Sequence, residues 1–284
     1  MSHTIHRSGD LLDLMTGKFT GHNIEEASAE AVAIIAELLE CNRLQAKLDR
    51  NRVITPELYQ RALQIIERRL NNEPWQYIFE RAYFRDLVLQ VTPAVLIPRP
   101  ETELLVEWCI KNLPQHGSLL DVGTGSGAIA VAMASERTDS QVTACDVSIE
   151  ALQVAQKNAE NSAPGRVKFL QSDLFEALPD AKFDIIAANL PYVTESEYLE
   201  LSPEVRDFEP KLALTSGQDG LDLIRRIIAE APEHLTPHGA MILEMSSFQT
   251  PIAAGIMQTS LQWTAIEIIR DYTGRDRFAA ARLR

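Results

Sequence analysis

Apolar residues in the first quarter of the chain recur every three or four positions, which is the spacing of one face of a helix. Two such stripes are present: Ala27, Ala31, Ile34, Ile35 and Leu38, and Leu58, Ala62, Ile65, Ile66 and Leu70. Asn23 and Glu26 have capping-box spacing before the first stripe, and Thr55-Pro56 predicts the start of the second helix. No strand pattern separates the stripes, so we predict a small all-helical domain over residues 1–72.

The pattern then changes to short apolar segments that flank turn residues. Apolar and aromatic residues on either side of Arg85-Asp86 predict a short β-hairpin. Three prolines between residues 93 and 100 disfavour helix, and the next helix is predicted to begin near Glu101. We therefore assign residues 73–100 to a hairpin and a proline-rich linker.

From about residue 117 onward, short apolar runs alternate with helical stretches. The predicted strands are residues 118–122, 141–146, 166–171, 183–188, 240–245, 263–269 and 278–283, and the predicted helices are residues 128–136, 149–161, 221–231 and 249–257. This alternation requires right-handed parallel crossovers, so we predict an α/β fold with a doubly wound, mostly parallel seven-stranded sheet over residues 101–284. The link between the last two strands is too short for a crossover helix, which predicts an antiparallel pair.

The composition restricts the class of protein. The chain has 284 residues with 27 Lys+Arg and 40 Asp+Glu, and the resulting net charge of −13 disfavours a general nucleic-acid binder. The longest apolar runs, such as residues 128–134, are far shorter than the roughly 20 residues of a membrane-spanning helix. The first residues carry no apolar leader, so we expect a cytoplasmic protein without a membrane anchor.

The spacing of cysteines and histidines does not predict a metal site. Cys41, Cys109 and Cys145 lie far apart and are odd in number, which suits a reducing compartment rather than a disulfide framework or a zinc site. His234 and His238 are four residues apart, but a proline lies between them and no third ligand follows. We expect no metal ion.

The strongest local signal is residues 121–128, DVGTGSGA, here called the glycine turn, which follows the first strand of the α/β domain and opens its first helix. Such a turn lies at the carboxyl edge of the sheet, where glycines let a ligand approach the backbone. Asp146 ends the second strand, where its carboxylate can accept hydrogen bonds from two ribose hydroxyls. We expect a nucleoside ligand, and this pattern alone fits a nicotinamide cofactor and S-adenosylmethionine equally.

Two features further along the chain separate these cofactors. Asp173 follows the third strand, where its carboxylate can accept a hydrogen bond from an adenine amino group while Leu174 contacts the ring. The fourth strand ends in Asn189-Leu190-Pro191-Tyr192, here called the tetrapeptide. It brings an amide side chain, a carbonyl held by a proline and an aromatic ring to the sheet edge that carries the glycine turn. In a nicotinamide-dependent enzyme, these groups would have no evident function.

The tetrapeptide suits the transfer of a methyl group to a planar amino nitrogen. Such a nitrogen, in an amide or a nucleobase, is a poor nucleophile because its lone pair is delocalised. The Asn189 side-chain oxygen and the Leu190 carbonyl can each accept one of its N–H bonds, which orients the nitrogen toward a sulfonium methyl. The same oxygens stabilise the positive charge that develops on the nitrogen. Tyr192 is expected to form a wall against the planar group.

These residues resemble those of class I S-adenosylmethionine-dependent methyltransferases and, within them, the bacterial peptide chain release factor glutamine N5-methyltransferases. The resemblance covers nearly the whole chain. Besides the glycine turn and the tetrapeptide, it rests on residues 73–78, 96–103, 204–205, 208–210, 219–221 and 271–278. The segment from Arg99 to Glu103 is the most specific of these.

The resemblance implies that the helical domain, residues 1–72, helps to hold a release factor, and that the catalytic domain methylates the glutamine of the factor's Gly-Gly-Gln loop. It implies S-adenosylmethionine as the cofactor and S-adenosylhomocysteine as the product. The implied cofactor contacts are Gly123, Thr124, Gly125, Ser126, Gly127, Asp146, Leu174 and Asn189, beside the candidate Asp173, and the implied glutamine contacts are Asn189, Leu190, Pro191 and Tyr192. We expect a monomer that makes no sequence-specific contact with nucleic acid.

Leu190 departs from the family tetrapeptide, which is Asn-Pro-Pro-Tyr. The Leu190 carbonyl is retained, and Pro191 still restricts Leu190 to extended conformations. The fixed φ of a proline ring, which preorganises the carbonyl, is lost. We expect activity to be retained.

Three other functions remain open at the level of sequence. An adenine exocyclic-amine methyltransferase acting on nucleic acid uses a related tetrapeptide, although the chain is acidic outside residues 41–70. A nicotinamide oxidoreductase explains only the glycine turn and Asp146. A non-catalytic module that binds cofactor and partner is suggested by Leu190 in place of proline.

Overall fold

A computed structural model describes residues 6–284, and the chain divides into two compact units. The first unit reaches Phe79, and the second runs from Glu80 to Arg284. The functional division at residues 72 and 100 stays a prediction.

The first unit is helical with one short strand pair. Its elements are α1 (Ser8–Gly21), α2 (Ala27–Leu39), α3 (Arg43–Leu48), α4 (Pro56–Leu70), α5 (Trp75–Ile78), β1 (His6–Arg7) and β2 (Val53–Ile54). The prediction for α4 is confirmed, since the Thr55 hydroxyl caps it by accepting a hydrogen bond from the Leu58 N–H at 3.2 Å. The expectation that no strand interrupts the helices is wrong, because β2 pairs antiparallel with β1. Two residues are too few for a strand pattern to be visible in the sequence.

The predicted capping box at Asn23 is also wrong. Asn23 and Glu26 have φ of 56° and 51°, and α2 begins at Ala27 without a side-chain cap. A capping box occurs instead at the start of α3, between Asn42 and Gln45. The spacing of two residues is thus insufficient to place a cap, because the backbone must also be extended at the N-cap position.

The second unit contains a hairpin and an α/β sheet. Its strands are β3 (Arg81–Phe84), β4 (Leu87–Gln90), β5 (Ser118–Val122), β6 (Gln141–Asp146), β7 (Val167–Gln171), β8 (Phe183–Ala188), β9 (Leu235–Glu244), β10 (Trp263–Arg270) and β11 (Asp276–Leu283). Its helices are α6 (Thr102–Asn112), α7 (Ala128–Glu136), α8 (Ile149–Ser162), α9 (Glu195–Glu200), α10 (Pro203–Arg206), α11 (Asp222–Glu230) and α12 (Thr250–Thr259), with short 3-10 helices at Lys211–Ala213 and Ala231–His234. The predicted hairpin is confirmed, since β3 and β4 pair antiparallel.

Strands β5 to β11 form one seven-stranded sheet in the order β10-β11-β9-β8-β5-β6-β7. The pairs from β9 to β7 are parallel, and β11 is antiparallel to both β9 and β10. The predicted mostly parallel seven-stranded sheet and the antiparallel last pair are therefore confirmed. β9 begins at Leu235 rather than at residue 240, because its first half contains Pro237 and Gly239, which hide a strand in the sequence.

Helices cover both faces of this sheet. One buried cluster joins the strands to α11 and α12, and another joins them to α6, α7 and α8. The carboxyl ends of β7, β6, β5, β8 and β9 consequently lie in a row along one edge, and this is where the polar segments of the chain meet. Among residues 6–284, no helix has both the length and the apolar character needed to cross a membrane.

Candidate active site

A cavity of about 450 Å3 lies at the carboxyl edge of the parallel strands. Small-molecule sites typically measure ~300–1,000 Å3, so one cofactor-sized ligand fits this space. Most of the residues predicted for the site line the cavity: Gly123, Thr124, Gly125, Ser126, Asp146, Asp173, Leu174, Asn189, Leu190 and Pro191. Gly127 and Tyr192 are not among the lining residues.

Three glycines give the glycine turn a backbone path that other residues rarely adopt. Gly123, Gly125 and Gly127 have φ of 71°, 54° and 82°. A Cβ at Gly123 would lie 2.9 Å from Leu190 Cδ2, whereas a Cβ at Gly125 would meet no atom within 4 Å. At Gly127 it would lie 3.1 Å from the Cβ of Ala155. Gly127 therefore serves the close approach of α7 to α8 rather than the cavity wall.

Asp121 stabilises the glycine turn through hydrogen bonds. Its carboxylate is fully buried, and Oδ2 accepts hydrogen bonds from the Thr124 hydroxyl at 2.6 Å and the Ala130 N–H at 3.1 Å. Oδ1 has no hydrogen-bond partner within residues 6–284. Burial raises the pKa of Asp121 to about 7, although its two hydrogen bonds act in the opposite direction.

Asn158 on α8 ties the hairpin to the glycine turn. Its side chain is buried, its Oδ1 accepts a hydrogen bond from the Gln90 N–H at 2.6 Å, and its Nδ2 donates to the Gln90 carbonyl at 2.9 Å and the Ser126 carbonyl at 2.8 Å. Sequence reasoning missed this residue. The available signal was a polar side chain in the buried stripe of α8, beside Ala155 and Ala159.

Asp146 ends β6 and faces the cavity. Its Oδ2 accepts a hydrogen bond from the Gly125 N–H at 2.9 Å, and its Oδ1 accepts one from the Ser148 N–H at 2.9 Å. Burial raises the pKa of Asp146, while these backbone hydrogen bonds lower it. Each carboxylate oxygen can accept a second hydrogen bond, so two hydroxyl groups of a ligand can be bound here.

Asp173 lines the cavity together with a basic partner. Arg226 Nη1 on α11 donates to Asp173 Oδ1 at 3.1 Å and to Oδ2 at 3.2 Å, and Arg226 lines the cavity as well. This pairing could not be foreseen, because the two residues are 53 positions apart. Leu174 is buried and has a positive φ of 47°, so the chain turns sharply at the cavity wall.

The tetrapeptide presents two acceptors from adjacent residues. Asn189 Nδ2 donates a hydrogen bond to Thr102 Oγ1 at 3.2 Å. Within the described chain, no group donates a hydrogen bond to Asn189 Oδ1 or to the Leu190 carbonyl oxygen. The Leu190 side chain is buried in the core against Gly123. These two oxygens are therefore available as acceptors, and both residues line the cavity.

Tyr192 is held by contacts behind the lining residues. Its carbonyl accepts a hydrogen bond from Gln249 Nε2 at 2.8 Å, and Gln249 also donates to the Asp219 carbonyl at 3.1 Å. Gly220 has φ of 71°, and a Cβ there would lie 2.0 Å from the Tyr192 carbonyl oxygen, so only glycine fits. Burial and the nearby Glu244 raise the pKa of Tyr192 to about 12, which keeps its phenol neutral.

Several charged and polar side chains lie close to the tetrapeptide. Arg99, which lines the cavity, pairs with the buried Glu209 at 2.7 Å. Thr102, the first residue of α6, and Glu244, the last residue of β9, are 4% and 2% exposed. Sequence reasoning included Arg99 and Thr102 only in a resembling segment and assigned no role to Glu244. Their proximity to the tetrapeptide depends on the order of strands in the sheet, which the spacing of residues along the chain does not indicate.

Two family profiles match the chain. The family described as the methyltransferase small domain matches residues 100–202, and the PrmC N-terminal domain matches residues 10–79. The two matches fall in different compact units, and the first contains the glycine turn, Asp146, Asp173 and the tetrapeptide.

Curated relatives match over most of their length. A release factor glutamine methyltransferase of Geobacter sulfurreducens is 37% identical over 246 residues, which is 87% of this chain and 86% of the relative. The enzyme of the same name from Lactococcus lactis is 40% identical over 249 residues, which is 86% of this chain and 90% of the relative.

Solved structures share the fold. A methyltransferase of Pyrococcus furiosus superposes with a TM-score of 0.54 at 20% identity, over 76% of this chain and 96% of that chain. At this identity the similarity shows the class I methyltransferase fold of the second unit.

Proposed function

The chain belongs to the family of release factor glutamine methyltransferases, and we propose that it methylates the side-chain amide nitrogen of a glutamine in the Gly-Gly-Gln loop of a peptide chain release factor. The observation that carries this proposal is the tetrapeptide. Asn189 Oδ1 and the Leu190 carbonyl are two acceptors without donors in the described chain, and both residues line the cavity that the glycine turn also lines.

The residues around the cavity fit S-adenosylmethionine, the cofactor of this family. Gly125 has space for a close ligand, Asp146 has spare acceptor capacity for ribose hydroxyls, and Leu174 offers an apolar wall for an aromatic ring. Asp173 retains acceptor capacity for an amino group beside its ion pair with Arg226. When bound, the cofactor supplies an electrophilic methyl group on a positively charged sulfur.

The tetrapeptide holds the substrate amide. We assign one N–H bond of the glutamine amide to Asn189 Oδ1 and the other to the Leu190 carbonyl, which fixes the nitrogen in position for attack. The two oxygens are partially negative, so they stabilise the nitrogen more strongly as it becomes positive than in the ground state. Pro191 restricts the backbone of Leu190 and so directs its carbonyl.

No general base is required among these side chains. The attacked nitrogen becomes acidic once it carries the methyl group, and its proton can leave to solvent. We assign Tyr192 a packing role behind the residues that line the cavity, and its raised pKa makes it an ineffective base at neutral pH. The mechanism is therefore positioning and electrostatic stabilisation.

The remaining assignments concern the whole protein. We propose that residues 1–72 bind the release factor, and that the protein acts as a monomer in the cytoplasm without sequence-specific contact with nucleic acid. Three free cysteines, two of them buried, suit a reducing compartment.

The proposal is tested by incubating the purified chain with a release factor and methyl-labelled cofactor, followed by mass spectrometry of the loop peptide. We expect label on the loop glutamine, and none on a factor in which that glutamine is replaced by asparagine. Label elsewhere on the factor, or no transfer although calorimetry shows cofactor binding, contradicts the proposal.

A parallel reaction with adenine-containing DNA and RNA tests the rival substrate. We expect no transfer there, because the chain is acidic, with a net charge of −13, and would be repelled by the phosphates of a nucleic acid. Transfer to nucleic acid at a rate comparable with that to the release factor contradicts the assignment.

A further inference from the structure

Two basic side chains are found among the described residues that line the cavity, and they lie at different places along the sheet edge. Arg226 is paired with Asp173, which follows β7. Arg99 precedes α6, and its carbonyl accepts a hydrogen bond from the Thr102 N–H at 3.1 Å. Thr102 Oγ1 in turn accepts a hydrogen bond from Asn189, which follows β8. Arg99 therefore belongs to the tetrapeptide end of the cavity, and the mechanism described above gives it no role.

The order of the strands gives the cofactor a direction. Strands β8, β5, β6 and β7 are consecutive neighbours in the sheet. With the adenine beside Asp173 after β7 and the ribose beside Asp146 at the end of β6, the rest of S-adenosylmethionine extends toward β5 and β8. That part of the cofactor is an amino acid, with one carboxylate and one ammonium group. Its carboxylate is thus brought to the end of the cavity that holds Arg99.

A buried acid, Glu209, holds Arg99 in place. Arg99 Nη2 donates a hydrogen bond to Glu209 Oε1 at 2.7 Å, and the Glu209 side chain is 2% exposed, whereas that of Arg99 is 33% exposed. Glu209 Oε2 has no hydrogen-bond partner within residues 6–284. A buried carboxylate that is satisfied at only one oxygen contributes little to stability. The pair is better explained by its effect on the guanidinium, whose position at the cavity wall it fixes before a ligand binds, which lowers the entropy cost of binding.

The Arg99 guanidinium retains donors for a ligand. It has five N–H bonds, and Glu209 Oε1 is the acceptor that the described chain provides for them. A carboxylate matches this planar group well, because it can accept two parallel N–H bonds. Arg226 is less suited to this task, since it has two acids of its own, Asp173 at 3.1 Å and Glu230 at 3.5 Å.

We propose that Arg99, positioned by Glu209, binds the carboxylate of the cofactor's amino-acid part through charge-assisted hydrogen bonds. The inference rests on the cofactor assignment of the proposed function and extends it to the end of the cofactor for which the contacts expected from the sequence provide no cationic partner. It also gives a role to the segment around Arg99 and to Glu209, which the sequence singled out only by resemblance.

The test is a binding cycle that changes one charge on the protein and one on the ligand. Titration calorimetry measures the affinity of the natural chain and of Arg99→Met for S-adenosylhomocysteine and for its analogue in which a hydrogen atom replaces the carboxylate. We expect Arg99→Met to weaken binding of S-adenosylhomocysteine about tenfold to a hundredfold, as for loss of a hydrogen bond between charged groups. Affinity for the analogue should change less than about twofold, because the group that Arg99 binds is already missing.

Two further variants separate ligand binding from folding. Arg99→Met leaves Glu209 buried without its cation, which lowers stability. Arg99→Met combined with Glu209→Gln removes both charges, so it should recover stability in urea unfolding while its affinity for S-adenosylhomocysteine stays low. Arg99→Lys keeps the charge but not the planar group, and it should retain part of the preference for the ligand that carries a carboxylate.

The matched control is Arg226→Met, which removes the other basic side chain of the cavity lining. Because Arg226 contacts Asp173 at the adenine end, its loss should change the affinities for the two ligands by the same factor. Equal losses for both ligands in Arg99→Met, or a loss in Arg226→Met that falls on S-adenosylhomocysteine alone, overturn the inference.

The binding measurements need no release factor, so failure of this inference can be distinguished from failure of the proposed function. If the affinity for S-adenosylhomocysteine depends on Arg99 as expected but no methyl group reaches the release factor, the inference stands and the proposed function fails. If the release factor is methylated and Arg99→Met binds S-adenosylhomocysteine as tightly as the natural chain, the inference alone is overturned. Absence of binding of either ligand to the natural chain overturns both.

Discussion

The glycine turn and the tetrapeptide follow neighbouring strands of one sheet, but the hydrogen bonding of their polar atoms differs. In the glycine turn, the side chains of Asp121, Asp146 and Asn158 accept or donate hydrogen bonds that fix the backbone. In the tetrapeptide, Asn189 Oδ1 and the Leu190 carbonyl receive no hydrogen bond from any residue in the range 6–284.

The difference reflects what each segment binds. A turn that surrounds a cofactor must keep its shape when the ligand leaves, so side chains of the protein fix its backbone by hydrogen bonds. A segment that stabilises a charge appearing only during the reaction needs acceptors that the protein has not already used. Substitutions should therefore affect shape and affinity at the glycine turn, and turnover at the tetrapeptide.

The largest expected effect is at the tetrapeptide. Asn189→Ala removes one of the two acceptors and should lower kcat on the order of 10²–10³-fold, as for loss of one group that stabilises developing charge. The midpoint of thermal unfolding should stay within about 2 °C. Steady-state methylation of a release factor and calorimetric unfolding measure the two quantities. Asn161→Ala, at an exposed position of α8, is the control and should retain the natural rate.

If Asn189→Ala lowers stability as well as kcat, the expectation that substitutions in the tetrapeptide affect turnover rather than stability is wrong. The loss would then come from the packing of the segment rather than from its free acceptor.

At the glycine turn, the expected effect is on stability and cofactor affinity. Gly123→Ala places a Cβ at φ of 71° and 2.9 Å from Leu190 Cδ2. Gly165→Ala has nearly the same φ, 72°, but no atom within 4 Å, so it measures the backbone cost alone. We expect Gly123→Ala to lower the free energy of unfolding by about 1–3 kcal/mol more than Gly165→Ala, because the added methyl overpacks the turn.

Urea unfolding of both variants gives this difference, and titration calorimetry with S-adenosylhomocysteine gives the affinity, which only Gly123→Ala should weaken. Equal losses of stability in the two variants would show that the Leu190 contact is without energetic consequence.

A smaller effect is expected where the two segments touch. Leu190→Pro fixes φ in the manner of the family tetrapeptide, but it also removes an apolar side chain that is buried in the core. These influences oppose each other, so kcat should change by less than about tenfold, or 1.4 kcal/mol. Leu190→Ala, which removes the side chain without fixing φ, is the matched control for kinetics and for unfolding. A gain in kcat well above tenfold on Leu190→Pro would mean that the natural chain is poorly preorganised.

A separate effect, on the pH dependence of stability, concerns Asp121 Oδ1, a buried side-chain oxygen of the glycine turn that has no hydrogen-bond partner within residues 6–284. The pKa of Asp121 is raised from 3.8 to about 7, so the folded state binds this proton more tightly than the unfolded state. The contribution of this group to stability is therefore present below the unfolded pKa and is lost as the pH rises through the folded pKa. Urea unfolding at about pH 5 and about pH 8 should show the natural chain losing stability relative to Asp121→Asn. Parallel pH dependence in the two proteins contradicts this explanation.

Sequence patterns predicted elements that have either a regular apolar spacing or an unbroken apolar run. Helix α7 has the predicted bounds, Ala128–Glu136, because every residue from Ala128 to Ala134 is buried and the glycine turn fixes its start. Helix α1 was not singled out, although Leu11, Met15 and Phe19 are spaced along one face, because Gly9 and Gly17 lower its apparent helix propensity. The cap at Asn23 failed because side-chain spacing does not specify backbone conformation.

For the site, spacing identified residues that follow strands directly, since the strand order brings all of those positions to one edge. It could not identify Arg226 beside Asp173 or Asn158 beside Ser126. Each of these contacts joins elements that are distant in sequence. Tertiary packing, rather than any local pattern, determines these positions.

The close approach of Leu190 to Gly123 also constrains how this chain can evolve. With leucine present, a side chain at position 123 would meet the Leu190 Cδ2 methyl group in addition to the strain of a positive φ, whereas a residue at position 190 without that methyl group would leave only the backbone strain. The two positions are therefore epistatic, and the order in which mutations arise decides which lineages stay viable. Leu190 therefore limits which substitutions at position 123 this sequence can tolerate.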